Sequence, residues 1–413
     1  MTLVVGALIA RFQLTVAAGA RAGLLQAPAA LAPEPGGAQQ VGEVSPAAEA
    51  FGVHEGMRLG EALARCPRLM LVPSDPAGVA DFWERLLVRL ESIGAAVEPE
   101  RPGLVCFDAS GLLRLHGGLD GVLAAARRTL RTPVRFGVAS SRFAAVAAAS
   151  RARVRRAEIV PGATAGLGAR RSSSRESARA GARAYLASMP VALLRVRPAL
   201  TGLPEALERL GVRTLGELAA LPPEALADRF GPAGLQAREL ADGGDGELRP
   251  RPPVELCREE LQLPEASSGT QLERALGLLI DRLLARRERR GRTLRAVVIS
   301  AVLVEGGGTW REQVSFREAL ADPVRMRLAL VQRLTVIPAP AERLRLAVER
   351  FGPAASDQRA LLDDPAAARR ARLREAIGQV RAAAGADAAL RVLEVDPGSR
   401  FPERRAVLTP FEG

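Results

Sequence analysis

The first third of the chain alternates short apolar runs with stretches whose apolar residues recur at helical spacing, the pattern of an α/β domain. Leu3–Ile9 reads as a strand, and Ser45–Phe51 and Met57–Cys66 as short helices. Phe82, Leu86, Leu87, Leu90 and Ile93 mark one face of a longer helix. Leu104–Ala109 is the next predicted strand, followed by a helix over Leu119–Leu130, a strand over Val134–Ala139 and an Ala-rich helix over Phe143–Arg151. Between Gly162 and Arg183 large apolar residues almost vanish in favour of Gly, Ala, Ser and Arg, which predicts a flexible basic linker.

From Ala184 to Asp242 the pattern is compact and helical, with turns marked by Gly and Pro. A Pro-rich connection, Gly243–Val254, leads to a different unit. It runs strand (Cys257–Leu263), helix (Gln271–Arg290), strand (Leu294–Val304), strand (Trp310–Phe316), helix (Pro323–Thr335), strand (Arg343–Phe351), a β-α-β-β-α-β order that predicts a ferredoxin-like split. Beyond it lie one Arg-rich helix, Pro365–Ala383, and a Pro-punctuated end. The expected division is therefore 1–161, a linker at 162–183, 184–242, a linker at 243–254, 255–352 and a tail at 353–413: a multidomain α/β (α+β) chain.

Charge changes this picture more than composition does. Among 413 residues, 58 are basic and all of them Arg, against 46 acids, for a net charge of +12. Such an excess favours a polyanionic partner, nucleic acid first. With no Lys, a Walker A or Schiff-base lysine is excluded, and with no Asn, so is N-glycosylation. Only His54 and His116, and Cys66, Cys106 and Cys257 without a CxxC, are available for metal or triad chemistry, so neither is expected. Scattered thiols fit a reducing cytoplasm. No apolar run has membrane-spanning length, and Met1–Ala10, without a basic leader, fits a buried strand better than a signal peptide.

Two local patterns point at phosphate. Leu210-Gly211-Val212 joins the predicted helices Pro204–Leu210 and Thr214–Ala220, which is the core of a helix-hairpin-helix: Gly211 takes the left-handed turn, and Gly211, Val212 and Arg213 lead unpaired N–H groups and a positive dipole end toward a backbone phosphate. A short αα-hairpin without ligand has the same pattern. Pro222–Arg229 with Gly231 suggests a second such unit. Arg282, Arg286, Arg287, Arg289, Arg290, Arg292 and Arg295 crowd against a single acid, Glu288, which makes either a phosphate track or a solvated helix end.

Taken in order, these parts resemble the Y-family translesion DNA polymerases. The segments that carry the resemblance are Ala50-Phe51-Gly52-Val53-His54-Glu55-Gly56-Met57 with Cys66-Pro67, Phe107-Asp108-Ala109-Ser110-Gly111 with Leu115-His116-Gly117-Gly118, and Phe136-Gly137-Val138-Ala139-Ser140-Ser141-Arg142-Phe143. The resemblance covers roughly residues 1–352 and implies palm and fingers, a helix-hairpin-helix thumb and a little finger. It also implies three carboxylates holding two metal ions. Here the first acid is Glu34, the first-strand carboxylate falls at Leu8, and the Asp-Glu pair falls at Gly103 and Leu104. The Tyr and Arg that would grip a triphosphate fall at Pro46 and Glu49. No metal or other cofactor is expected, and Glu98, Glu100 and Asp108 remain as the acids of a relocated site, the enzyme alternative.

A polymerase-shaped chain without its acids resembles the inactive branch of that family. Arg11-Phe12, the run from Tyr185 to Leu194, and Pro402-Glu403-Arg404-Arg405 support the likeness. It implies an adaptor for damaged or primed DNA, the sliding clamp, an error-prone C-family polymerase and a RecA-like protein. In the tail, Gln358-Arg359-Ala360-Leu361-Leu362 resembles a clamp-binding pentapeptide, with Gln358 at the pocket rim and Leu361 and Leu362 in the apolar cleft.

Overall fold

The computed structural model describes residues 2–19, 21–164, 171–252, 257–354, 373, 376–377, 380 and 388–410. It divides into one unit spanning Met1–Pro353 and a second spanning Ala354–Gly413.

The first unit begins with β1 (Val4–Leu8) and α1 (Phe12–Ala18). A small lobe follows, made of β2 (Ala29–Leu31), α2 (Pro46–Glu49), α3 (Leu59–Arg65) and β3 (Met70–Val72), with β2 and β3 paired in parallel. Then come α4 (Pro76–Glu91), β4 (Val97–Arg101), β5 (Leu104–Asp108), α5 (Leu113–His116), α6 (Leu119–Leu130), β6 (Arg135–Ala139), α7 (Arg142–Arg151) and β7 (Glu158–Ile159). The five-stranded sheet runs β4-β5-β1-β6-β7. β1 is central and apolar on both faces, as a buried strand must be: Val5 and Ala7 join α4 and α6 on one side, and Val4 joins α7 on the other. Gly6 and Gly137 face each other across β1 and β6, and a Cβ on either would run into the backbone of Ala145, at 2.9 and 2.2 Å. Their missing side chains let the Ala-rich α7 lie flat on the sheet.

The expected flexible linker is corrected in its second half. Arg171–Leu186 forms α8, and Ala178, Ala182 and Leu186, four residues apart, are buried along one face. α9 (Leu203–Arg209), α10 (Leu215–Ala220) and α11 (Pro223–Ala241) follow, with α11 broken at Gly231, φ 59°. These helices share one apolar cluster with α7 and the first sheet. The described part of the expected connection, residues 243–252, is strapped to the first sheet and α4: the Arg251 N–H donates to the Val97 carbonyl at 2.9 Å, and its guanidinium meets Glu84 and Glu91 of α4 at 2.7 and 2.6 Å.

The second sheet is built from β8 (Arg258–Ser267), α12 (Thr270–Ala285), β9 (Arg292–Leu303), β10 (Thr309–Leu320), α13 (Pro323–Leu334) and β11 (Ala341–Ala354), in the expected element order. Its strand order, β10-β9-β11-β8, gives two split β-α-β units, each helix crossing one intervening strand, with the second and fourth strands in the middle. The helix expected to reach Arg290 ends at Ala285. Arg287–Arg289 form a 3-10 turn that stops at Arg290, φ 51°. Of the expected tail helix, Leu373, Ala376, Ile377 and Val380 are described and are helical. The second unit also contains a hairpin that the sequence pattern does not announce, β12 (Leu390–Glu394) with β13 (Ala406–Pro410).

Candidate nucleic-acid interface and degenerate metal site

Leu8, Gly103 and Leu104 converge at one end of the first sheet. Leu8 pairs with Leu104 on β5 and with Arg135 on β6, while Arg101 of β4 pairs with Leu104, so one rung reads Arg101, Leu104, Leu8, Arg135. Ile9 N–H closes the rung on the Gly103 carbonyl at 2.8 Å. Pro102 and Gly103 form the two-residue turn between β4 and β5, with Gly103 at φ 86°. A Cβ there would lie 2.7 Å from Phe12 Cβ. The rung therefore offers no side-chain oxygen, and the Gly103 position has no room for a carboxylate. Leu8, Gly103 and Leu104 themselves carry no side chain that could hold a metal ion.

The acids that could have relocated are engaged elsewhere. Glu98 pairs with Arg142 and accepts from the Arg249 N–H at 2.6 Å. Glu100 accepts from Arg197 at 2.8 Å and lies 3.1 Å from Arg142 Nε in an ion pair, and Asp245 takes the other arm of Arg197 at 2.6 Å. Arg197 is buried and the side chains of Glu100 and Asp245 are little exposed, so this is an interior network that joins the first sheet to the helical middle. Asp108 lies at the far end of β5, where Oδ1 accepts from the Ser110 N–H at 2.8 Å. Among the described residues, no three His, Cys, Asp or Glu side chains come together in a way that could hold a metal ion.

Pro46 and Glu49 belong to α2, which Ser45 caps by accepting from the Ala48 N–H at 3.2 Å. Glu49 is bound by Arg11 at 2.6 Å, and Arg11 Nε donates to the Val44 carbonyl at 2.8 Å. Arg11 holds this bridge from a left-handed backbone, φ 52°. The place that the resemblance gives to a triphosphate grip thus holds a surface ion pair within the chain. Beside it Glu43 accepts from the Leu14 N–H at 2.9 Å, capping α1, and burial pushes its carboxyl above the usual range. Arg11 and Glu43 escape local sequence reasoning because their partners are 38 and 29 residues away.

In the hairpin, Gly211 takes the expected left-handed turn at φ 84°. The expected unpaired donors are corrected. Gly211 and Val212 N–H groups donate to Glu208 and Leu207 carbonyls, and Arg213 and Thr214 N–H groups donate to Glu217 Oε2 at 2.7 and 3.0 Å in a capping box. These bonds hold the Glu217 carboxyl below its ordinary range. Gly211 and Arg213 stay at the surface, but a phosphate arriving there meets a carboxylate first.

The arginine run divides in the same way. Arg286 pairs with Glu259, Arg289 Nη1 donates to the Arg292 carbonyl at 3.0 Å, and Arg292 lies over the Phe351 ring at 3.7 Å from its centroid. Arg287 and Arg290 are exposed. Gln358, Leu361 and Leu362 lie outside the described residues.

With this geometry in hand, known proteins supply the frame. Residues 9–150 match the impB/mucB/samB family. DNA polymerase IV of Dehalococcoides mccartyi (strain CBDB1) is 24% identical over 342 residues, 81% of this chain and 82% of that one. The chain is thus similar to DNA polymerase IV over most of its length, and to the impB/mucB/samB family over residues 9–150. DNA polymerase IV of Caulobacter vibrioides is 27% identical over 203 residues, 48% of this chain and 45% of that protein. Among solved structures, DinB from Sulfolobus solfataricus is similar at 16% identity and a TM-score of 0.45, covering 84% of this chain and 99% of that one. A Dbh ternary complex is similar at 15% identity and a TM-score of 0.43, over 85% and 99%. For reference, the names that the sequence resemblance implies serve as labels: palm for the first sheet with its helices, fingers for the small lobe, thumb for α9–α11 and little finger for β8–β11. No described helix is long and apolar enough to cross a membrane.

Proposed function

We propose that this chain is a non-catalytic, DNA-binding adaptor of the ImuB type, the polymerase-shaped subunit of an error-prone translesion-synthesis complex of the SOS response to DNA damage. The observation that carries the reading is the rung Arg101, Leu104, Leu8, Arg135 with Gly103 at its turn, where a working relative would need metal-binding oxygens. The Arg11–Glu49 pair supports it, because an acid engaged by arginine stands where the resemblance expects a triphosphate-gripping cation.

DNA as the ligand is supported by the net charge of +12, by the thumb hairpin with Gly211, Val212 and Arg213, by the exposed Arg287 and Arg290 of the little finger, and by relatives named DNA polymerase IV. The adaptor reading places the protein in the cytoplasm at the nucleoid. Its partners are the sliding clamp through Gln358, Leu361 and Leu362, an error-prone C-family polymerase and a RecA-like ImuA-type protein.

The test is whether magnesium and the next correct nucleotide change binding of a primed duplex, read by fluorescence anisotropy. The adaptor binds equally with and without them. Tightening that requires the correct nucleotide would favour the second reading, a working polymerase with relocated carboxylates, for which the names of the relatives speak.

A further inference from the structure

The little-finger sheet has one face packed by its own helices and one turned away from them. Val297, Ile299, Ala301 and Leu303 of β9 and Leu344 and Leu346 of β11 point into the cluster with α12 and α13. Strand alternation sends Ser300 and Arg345 to the opposite face. Both are nevertheless buried, at 4% and 6% exposure.

Palm helix α4 is what covers them. Asp81 accepts from Arg345 and, at 3.3 Å, from the Ser300 hydroxyl, and Arg311 of β10 lies 3.9 Å from its other oxygen. Asp75, the N-cap of α4, accepts from the Thr309 N–H at 3.1 Å and its hydroxyl at 2.9 Å. Glu260 of β8 binds Arg345 from the little finger itself, at 2.6 Å. Positive charge is crowded here, and burial together with Arg345 presses the neighbouring Arg85 guanidinium down to about 10.

The joint is polar and loosely filled. None of the apolar clusters among the described residues draws on both palm and little finger, whereas palm and thumb share one. A cavity of about 650 Å³ remains between them, lined by Arg21, Phe82, Arg85 and Arg343 among others. Interdomain contacts of this kind part more readily than apolar ones, and salt screens them. Carboxylate and phosphate also compete for the same guanidinium geometry.

We propose that this joint is an autoinhibitory latch: Asp75 and Asp81 of the palm occupy the arginine-bearing face of the little finger, and a polyanion that takes Arg345, Arg343 and Arg311 must first displace them. The identity of that polyanion as DNA rests on the adaptor reading. A latch that keeps nine molecules in ten closed weakens apparent affinity about tenfold.

The test locks the joint reversibly. Asp75→Cys with Thr309→Cys places two thiols where the carboxylate and hydroxyl now touch, and the native cysteines are buried. A primed duplex and heparin serve as probes, each titrated against the oxidised and the dithiothreitol-reduced protein. The latch predicts roughly tenfold or greater weakening on oxidation, restored by reduction, and binding by Asp81→Asn about three- to tenfold tighter than wild type. Equal affinity in both redox states, or an Asp81→Asn variant that folds and binds no tighter, overturns it. Redox-dependent binding of heparin with no binding of the duplex in either state would retain the latch and overturn the DNA reading. Binding of neither probe by the wild type would overturn both.

Discussion

Gly103 sits where the resemblance expects the first acid of a pair, in a left-handed turn with Phe12 filling the space a side chain would need. Gly103→Asp is therefore expected to lower stability by ~1–3 kcal/mol from backbone strain alone, before any clash, and an unchanged urea midpoint would contradict this. Glu43 gives the pH prediction. Its folded carboxyl is raised by burial, so the fold prefers the protonated form, and stability falls as pH rises from the ordinary range near 4.5 through the raised value. Glu43→Gln, which keeps an acceptor for Leu14, should melt higher than wild type at pH 7, with the gap closing below pH about 4. A gap that widens on acidification would reverse the sign. What the sequence made legible here was absence: no acid before Glu34, and apolar residues at Leu8 and Leu104. Pro102-Gly103 was a readable turn signal that the local pattern of β4 and β5 left unused.

Elements pair residues that lie far apart in the chain. Arg197 follows α8 and joins Glu100 of β4 to Asp245 beyond α11, all three with side chains little exposed. Arg197→Ala leaves two interior carboxylates without the cation that bridges them, with Arg142 left beside both, and a loss of ~3–5 kcal/mol in denaturant unfolding is expected. A loss below about 1 kcal/mol, the range of an exposed pair, would contradict the network. Element order was largely legible because strand and helix periods differ, and the β-α-β-β-α-β unit was found that way. The segment ending at Leu186 was not. Ala178, Ala182 and Leu186 carry a helical spacing, but small side chains in an Arg- and Ser-rich stretch give too little apolar contrast to reveal it. The ion network was illegible for a different reason: charged residues have no period, and only tertiary structure brings Glu98, Arg142, Arg197 and Asp245 together.

At the scale of the whole molecule, a net charge of +12 and phosphate contact predict that log affinity for DNA falls linearly and steeply with log salt, whatever the base sequence. A flat response, or strong preference for one sequence, would contradict backbone binding. Charge was legible as a sum but not as a distribution. Arg345 and Arg286 are taken up by Asp81, Glu260 and Glu259, and Glu217 guards the thumb hairpin, so the accessible positive surface is smaller than the count of arginines implies. The proposed lack of catalysis is tested most directly by primer extension. A labelled primer on a gapped or lesion-bearing template is incubated with this protein, all four nucleotides and either magnesium or manganese. The expected result is no added nucleotide with either metal, at protein concentrations that saturate the template. Template-directed incorporation that is lost on chelation would contradict it and would require metal-binding oxygens somewhere other than the Leu8, Gly103 and Leu104 positions.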